Sequence, residues 1–136
     1  RGALLTELEL AGGTALRVVA AHLGLLNRSR QSQARMILEL LMLRDEQPTL
    51  LMGDLNEWRL GSRSSLNSLS SKFRGMPTAV PSFPSRLPVL ALDRIMCSHE
   101  GIIERVQAHD TDLERIASDH LPIKAILRPE QNELSS

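Results

Sequence analysis

The chain has 136 residues with sixteen basic and sixteen acidic side chains, so its formal net charge is zero. Apolar residues make up 42% and charged residues 24%, which is typical of one globular domain and excludes a disordered chain. The charge balance argues against a protein held to nucleic acid or membrane mainly by bulk charge, so an anionic substrate has to be held locally or by a metal.

The cysteine content and the apolar runs exclude further classes of protein. Cys97 is the single cysteine, so an intrachain disulfide framework and a cysteine-built zinc site are both excluded. No apolar run approaches the ~20 residues that a membrane helix needs, and no basic-then-apolar leader is visible. We therefore expect no transmembrane segment and a cytoplasmic location. The chain begins at Arg1, which suggests a piece of something longer.

The first part of the chain predicts a β-hairpin. Residues 4–10 alternate weakly between apolar and polar side chains, and the pair Gly-Gly at 12–13 is a turn signal. Residues 15–23 then form an apolar run of the kind expected for a strand that is buried on both faces.

The next segment predicts a helix and a further strand. Asn27 or Ser29 can cap a helix that runs to about Arg44, with Arg30 on a face other than the apolar one. The apolar stripe of this helix consists of Ala34, Ile37, Leu38 and Leu41. Residues 49–52 form a short apolar strand, and the order strand, helix, strand indicates an α/β layered core.

The second part of the chain is more irregular. The Ser-rich residues 61–73 predict a short helix capped by Ser62, because apolar residues recur there at helical spacing (Leu66, Leu69 and Phe73). Residues 77–88 contain four prolines and predict a loop that lines something. Further strands are predicted at residues 89–97, 102–109 and 120–127, and a polar tail at 129–136.

Reactive side chains concentrate in four short segments, each at a point where a predicted strand meets a loop. They are residues 21–24, 53–58, 92–95 and 118–122. Such strand ends are where the active sites of layered α/β proteins assemble. Asp54 and Asn56, two residues apart, project to the same side and suit a hard cation beside an activated water. Gly, Asp and Asn are also ordinary turn residues, so the segment alone favours a turn.

The other candidates also allow a structural and a chemical interpretation. Asp119 is either a Mg²⁺ ligand or a residue that caps the loop. His120 is either an acid, a base or a hydrogen-bond donor to phosphate, or else an ordinary surface imidazole. His22 lies in an apolar strand, where a hydrogen-bonded core role is the commoner one. Asp93 lies among apolar residues and needs a partner, for which His120 or the adjacent Arg94 would serve.

In their order, these segments resemble the endonuclease/exonuclease/phosphatase superfamily, a deoxyribonuclease I-like group of metal-dependent phosphodiesterases. The matching motifs are His-Leu-Gly at 22–24, Gly-Asp-Leu-Asn at 53–56, Leu-Asp-Arg-Ile at 92–95 and Ser-Asp-His-Leu-Pro at 118–122. The chain looks most like a bacterial branch that has Arg30 and Gln33 near the helix start, Glu-Trp at 57–58 and the loop Ser-Phe-Pro-Ser-Arg-Leu-Pro at 82–88.

The resemblance implies a metal and an activated water. Asp119 would bind or orient a divalent cation, Mg²⁺ or alternatively Mn²⁺, with Asp54 as a second metal ligand. Asp54 would also orient or deprotonate the attacking water, and Asn56 would steady the phosphate in the transition state. Such a metal neutralises phosphate charge while a positioned water attacks in line.

The resemblance also implies roles for two imidazoles. His120 would contact the scissile phosphate or transfer a proton, with Asp93 orienting it, and His22 would be a second imidazole at the phosphate. Among the arginines near these segments, Arg86 is the one we expect to clamp substrate phosphate.

The implied fold is the C-terminal half of a four-layered α/β sandwich, in which two packed β-sheets are flanked by helices. Residues 1–128 would form this portion, followed by the tail. The family's domain is nearly twice as long, and its first half carries the Glu that is the principal metal ligand. We therefore expect that the missing N-terminal half, or another copy, covers apolar surface on the inner sheet face. This chain by itself should be weakly active or inactive.

The function that the resemblance implies is metal-dependent hydrolysis of phosphoester bonds. The substrate could be nucleic acid, phospholipid or sugar phosphate, and either a phosphodiester or a phosphomonoester. The alternative is a non-catalytic or split family member that acts as a binding or interaction module, because the segment with the main metal ligand is absent.

Overall fold

The computed structural model describes residues 1–75 and 79–128. Its elements, in chain order, are β1 (Gly2–Glu9), β2 (Ala15–His22), α1 (Asn27–Met42), β3 (Thr49–Asp54), β4 (Asp93–Cys97), β5 (Ile103–Ala108), α2 (Asp112–Ala117) and β6 (Ile123–Leu127). Two 3₁₀ turns, Gly61–Arg63 and Asn67–Ser71, lie between β3 and β4. Residues 77–78 of the predicted loop and the predicted tail at 129–136 lie outside the described residues.

Four strands form one sheet in the order β1-β2-β3-β4. Strands β1 and β2 are the predicted antiparallel hairpin, whose turn uses Gly12 and Gly13 at positive φ. Strands β2 and β3 pair in parallel through the crossover of α1, and β4 pairs antiparallel with β3. The carboxyl ends of β2 and β3 and the amino end of β4 therefore lie at one edge of the sheet.

Helix α1 covers one face of this sheet with the apolar stripe that its periodicity predicts. Ala34, Ile37 and Leu41 are buried in a cluster with Val19 and Leu51 of the sheet, and Leu38 packs at the edge of that cluster. Burying such a stripe contributes about 1.5–3 kcal/mol for each large aliphatic side chain. The helix is therefore held mainly by packing and not by its intrinsic propensity.

Two expectations about the start of α1 are wrong. The residue before the helix is Leu26, and it provides no side-chain cap; Asn27 and Ser29 already lie inside the helix. Arg30 is buried and not displayed on a polar face, because its guanidinium donates to the carbonyls of Gly24 and Leu25. This arginine therefore holds the chain that enters the helix.

The predicted helix over residues 61–73 is instead a pair of 3₁₀ turns. The serines compete with helical hydrogen bonding, since Ser64 Oγ accepts from the amide of Leu66 and Ser70 Oγ donates to the carbonyl of Asn67. Ser62 does not cap this segment; it lies inside the first turn. Three apolar side chains of the segment are nevertheless buried, as their spacing predicts: Leu66, Leu69 and Phe73.

The second sheet is the antiparallel pair β5 and β6, which packs on the other face of the four-stranded sheet. A second apolar cluster joins the two sheets around Leu16, Leu50, Ile95 and Ile102. The α/β fold with two sheets and outer helices is thus confirmed. Leu4 and Leu8 of β1 remain 69% and 45% exposed, so part of this strand is uncovered, as expected.

Two strand boundaries near the site differ from the sequence prediction, and one helix is additional. Strand β4 begins at Asp93 and not at residue 89, because residues 89–90 bond back to Phe83 in the preceding loop. Strand β6 begins at Ile123, so Asp119 and His120 lie in the connection before it. The short helix α2 was not predicted. No helix among the described residues is both long and apolar enough to span a bilayer.

Candidate active site

The sheet brings side chains from distant parts of the chain to one edge. His22 ends β2, Asp54 ends β3, and Asp93 begins β4 directly opposite Asp54 in the antiparallel register. The connection between α2 and β6 adds His120, whose ring approaches both carboxylates. The strand ends that carry the candidate residues therefore converge, as expected from their positions in the sequence.

Asp93 is the partner of His120. The Nδ1 atom of His120 lies 2.7 Å from Asp93 Oδ2, and the hydroxyl of Ser82 donates to the same oxygen over 2.5 Å. Because the carboxylate accepts, Nδ1 carries the proton and the Nε2 atom is directed to Asp54. The ring of Phe83 lies 4.9 Å from the imidazole and flanks it. Of the two partners considered for Asp93, the structure selects His120 and not Arg94.

The surroundings of His120 raise its pKa. Partial burial by itself would lower this pKa, but the hydrogen bond and charge of Asp93, and the charges of Asp54 and Asp119, outweigh it. The net result is a pKa above the ordinary 6.5. The imidazole is thus biased toward its charged form, which can donate a hydrogen bond from Nε2.

Asp54 lies between the two imidazoles. Its Oδ2 atom is 3.7 Å from His22 Nε2 and 3.9 Å from His120 Nε2, while Oδ1 accepts a hydrogen bond from the amide of Asn56 over 3.0 Å. The imidazole of His22 is 55% exposed, so the interpretation as a core histidine is wrong. Asp54 thus presents one oxygen to the space between the two imidazoles, which we call the cleft.

Asn56 adopts a left-handed backbone conformation with φ of 51°. Its side-chain nitrogen donates to the carbonyl of Leu23 over 2.8 Å, and this bond ties the end of β3 to the end of β2. Asparagine is among the residues that tolerate this conformation best. Its predicted contact with substrate phosphate stays a prediction, and its observed contact is structural.

A buried polar network that the sequence analysis missed supports this segment. Glu57 is fully buried and accepts hydrogen bonds from the amide and hydroxyl of Ser65 and from the amide of Arg59. Arg30 lies 3.7 Å from its carboxylate, and Arg94 donates to its main-chain carbonyl. A carboxylate buried in this way is retained because each of its two oxygens accepts at least one hydrogen bond and a guanidinium lies nearby.

Ser82 is a second residue that sequence reasoning missed. It belongs to the proline-containing loop, and its amide also bonds the carbonyl of Leu90, so the loop folds back over the start of β4. The only available signal was its place in a loop predicted to line something. A serine hydroxyl in a loop can bond to many different groups, so the sequence does not reveal that its partner is Asp93.

Asp119 and Arg86 lie at the margin of the site. The carbonyl of Asp119 accepts from the amide of Ser85 over 2.7 Å, so the loop with Arg86 is fastened to the segment with His120. The carboxylate of Asp119 is exposed and lies outside the cluster of Asp54, Asp93 and His120. Arg86 is exposed, and its clamping of phosphate remains a prediction.

The donor set fits a hard divalent cation. Within the described residues, Asp54, Asp93 and His120 each offer an atom, all within 4.8 Å of one another. The bond between Asp93 and His120 engages those two groups, whereas Oδ2 of Asp54 makes no hydrogen bond to a described residue. Oδ2 of Asp54 is therefore available as the kind of ligand that Mg²⁺ and Mn²⁺ take, usually with waters and phosphate. Asp119 offers a further exposed carboxylate at the margin, outside this cluster.

Comparison with known proteins identifies a curated relative and many similar structures. No family model matches the chain. The uncharacterised protein YbhP of Escherichia coli strain K12 is 33% identical over 120 residues, which are 83% of this chain and 46% of that protein. A protein of the same description in Shigella flexneri matches equally. The chain thus spans about half the length of the curated relatives it matches.

Solved structures show the same architecture. A conserved protein of unknown function from Enterococcus faecalis V583 superimposes with a TM-score of 0.76 at 24% identity, over 94% of this chain and 56% of that one. An endonuclease/exonuclease/phosphatase family protein from Leptotrichia buccalis superimposes with a TM-score of 0.71 at 18% identity, over 93% of this chain and 52% of that one. A beta toxin mutant from Staphylococcus aureus with bound magnesium ions superimposes with a TM-score of 0.69 at 17% identity, over 92% of this chain and 57% of that one. The chain therefore has the fold of the endonuclease/exonuclease/phosphatase proteins over about half of their length, as its motifs predict.

Proposed function

We propose that this chain carries part of the active site of a divalent-metal-dependent hydrolase of phosphoester bonds. The observation that carries the proposal is the arrangement in which Asp93 holds His120 by Nδ1 while His120 Nε2 lies 3.9 Å from Asp54. An imidazole oriented by one carboxylate and directed at a second one is suited to proton transfer and to donating to a phosphate oxygen. The fold shared with hydrolases supports the same activity.

In this proposal, some residues of the chain transfer or donate protons and others hold them in position. Asp54, beside His22 and His120, would orient the attacking water and accept its proton. His120, biased toward its charged form, would donate from Nε2 to a phosphate oxygen. Asn56 fixes the backbone that presents Asp54 through its bond to Leu23.

Asp119 and Asp54 would hold the cation, either Mg²⁺ or Mn²⁺. When it is bound, the metal neutralises charge on the phosphate in the transition state. A beta toxin structure of the same fold contains bound magnesium ions, which supports a divalent cation in a site on this fold.

The proposal is tested by hydrolysis of bis(p-nitrophenyl) phosphate by the purified full-length protein with Mg²⁺ or Mn²⁺. Asp54→Asn and His120→Gln should each lower turnover by about 10²-fold or more, the usual contribution of a positioned acid or base. His99→Gln, at the opposite edge of the sheet, is the matched control and should retain turnover.

Two results would argue for a non-catalytic binding module instead. One is turnover in the presence of EDTA equal to that with metal. The other is equal turnover by the His120→Gln variant and the unchanged protein. Absence of any turnover on phosphodiesters and phosphomonoesters would have the same meaning.

A further inference from the structure

Exposed apolar side chains concentrate in the loops around the candidate site. Three segments leave this edge of the sheet: residues 24–28 after β2, which include the first two residues of α1, residues 58–63 after β3, which include the first 3₁₀ turn, and residues 86–89 before β4. We call them together the rim. Its large apolar side chains are each between 53% and 72% exposed: Leu25, Leu26, Trp58, Leu60, Leu87 and Val89.

The rim is also locally cationic in a chain whose net charge is zero. It carries four exposed arginines, namely Arg28, Arg59, Arg63 and Arg86, and none of its positions is Asp or Glu. The guanidinium of Arg59 lies 5.4 Å from the centre of the Trp58 ring. The opposite edge of the sheet is of mixed charge, because it exposes Asp45, Glu46 and Glu100 together with Arg44 and Arg74.

All three segments are held at the site by hydrogen bonds. The buried network connects residues 24–28 with residues 58–63, and residues 86–89 are held by the bond from the amide of Val89 to the carbonyl of Phe83, whose ring lies beside His120. Arg30 reaches the carbonyl of Leu25 and the hydroxyl of Ser65, which in turn donates to Glu57. Arg94 reaches from the start of β4 to the carbonyl of Glu57. The rim is therefore fixed relative to the cleft. Helix α2 borders it and adds exposed Leu113 and Ile116, together with the acidic Asp112.

Apolar and cationic side chains in this combination fit the surface of an anionic bilayer. Leucine and tryptophan side chains gain free energy at the boundary of headgroups and acyl chains, and arginines gain it beside anionic headgroups. A nucleic acid would make favourable contacts with the arginines but not with exposed leucine and valine, since its outer surface is charged phosphate. The apolar residues therefore favour a lipid over a polynucleotide or a sugar phosphate.

We propose that the rim docks on an anionic phospholipid bilayer and that the phosphoester reaching the cleft belongs to a lipid headgroup. This inference rests on the proposed function for the chemical step, and names the class of substrate. Docking itself needs neither metal nor turnover, so it can be measured separately from hydrolysis.

The experiment uses the fluorescence of Trp58, the single tryptophan in a chain without tyrosine. The purified full-length protein, with EDTA present, is titrated with vesicles of equal parts phosphatidylcholine and phosphatidylglycerol, and with vesicles of phosphatidylcholine alone. If the full-length protein has further tryptophans, they are first replaced by phenylalanine. We expect the emission to shift to shorter wavelength with the anionic vesicles and much less with the neutral ones.

Paired variants test which side chains are responsible. The double variant Leu87→Ser, Val89→Ser should bind vesicles about tenfold more weakly because apolar burial is lost. Its control is the double variant Met42→Ser, Leu43→Ser at the far end of α1, which should bind as the unchanged protein does.

The double variant Arg28→Gln, Arg63→Gln should bind anionic vesicles more than tenfold more weakly, at roughly fivefold for each arginine. Its control, Arg44→Gln, should not weaken binding. The Leu87 and Val89 variant should also hydrolyse vesicle lipid more slowly while retaining turnover of bis(p-nitrophenyl) phosphate.

Several outcomes would overturn the inference and leave the proposed function intact. One is the absence of vesicle binding in a protein that hydrolyses the soluble phosphodiester. A second is protection of Trp58 from acrylamide without vesicles, which would mean that the rest of the full-length protein covers the rim. A third is binding of duplex DNA that depends on the rim arginines but not on Leu87 and Val89. Vesicle binding without any hydrolysis would instead contradict only the proposed function.

Discussion

The imidazole of His120 and the hydroxyl of Ser82 donate to the same oxygen of Asp93, over 2.7 Å and 2.5 Å respectively. Asp93 in turn begins β4, so a rigid strand end carries the carboxylate that orients the ring. Such an outer carboxylate fixes which imidazole nitrogen holds the proton and where the other one is directed.

Asp93→Asn should lower the pKa of His120. The hydrogen bond and charge of Asp93 are the main effects that raise this pKa, while the partial burial that opposes them would remain. The measurement is an NMR titration of the imidazole signals, with His120→Gln used to assign the ring. Ser82→Ala, which retains the carboxylate, should leave the His120 pKa above its ordinary value. An unchanged pKa in Asp93→Asn would contradict the pairing.

His120→Gln should alter how stability depends on pH. Because the folded pKa of His120 is above 6.5, its protonated form stabilises the fold at pH values below 6.5. That contribution is lost as the pH rises through the folded pKa. Urea unfolding at several pH values should show the largest difference between the variant and the unchanged protein on the acidic side. If the difference in the free energy of unfolding grew toward alkaline pH instead, it would contradict a raised pKa of His120.

Glu57→Gln should destabilise the fold by about 3 kcal/mol at neutral pH, since it leaves Arg30 beside a neutral group in a buried site. Burial by itself would raise the Glu57 pKa, but hydrogen bonds from Ser65 and Arg59 and the charge of Arg30 lower it below 4.5. The stabilisation is therefore present above pH 4.5 and lost as the pH falls through the folded pKa.

Urea unfolding at neutral and acidic pH measures both parts of this prediction. The matched control is Glu46→Gln, an exposed carboxylate paired with Lys72, which should cost less than about 1 kcal/mol. Equal effects of the two substitutions would mean that the Glu57 network contributes no more than a surface pair.

Gly53→Ala should destabilise the fold severely. Gly53 has φ of 135°, and a Cβ atom there would lie 2.0 Å from the carbonyl oxygen of Ala21 in the neighbouring strand. Relieving that overlap requires β2 and β3 to separate next to Asp54, at a cost of about 3 kcal/mol or more. Gly12→Ala is the control, because Gly12 also has positive φ but open space around it, and should cost about 1 kcal/mol. Similar losses in urea unfolding would contradict the steric argument.

The sequence predicted the strands that carry the site, because these follow from local patterns. It left His120 and Arg94 as possible partners of Asp93, and the family resemblance implied His120. Continuous apolar runs marked β2 and β3, and apolar residues at a period of 3.6 marked α1. A carboxylate between Leu92 and Ile95 required a nearby donor. The resemblance in motif order then predicted a fold that the comparisons confirm.

The remaining features depend on contacts between residues far apart in the chain. Glu57 and Arg30 look like surface residues in sequence, and only the folded chain shows that Ser65 and Gly24 satisfy them. The 3₁₀ turns at 61–71 arise because serine hydroxyls outcompete helical bonding, which apolar spacing does not reveal. Whether Asn56 or Arg86 contacts a phosphate cannot be derived from either their type or their spacing.

The antiparallel pairing of Asp54 with Asp93 also bears on when the site forms during folding. Four residues of the site, in chain order His22, Asp54, Asp93 and His120, are separated by 32, 39 and 27 residues, so each contact between them closes a long loop. The hairpin of β1 and β2 and the helix α1 need only local contacts and can form earlier. The cleft is therefore among the last parts of the chain to be assembled, and a nascent or partly unfolded molecule holds its reactive groups apart until the sheet is complete.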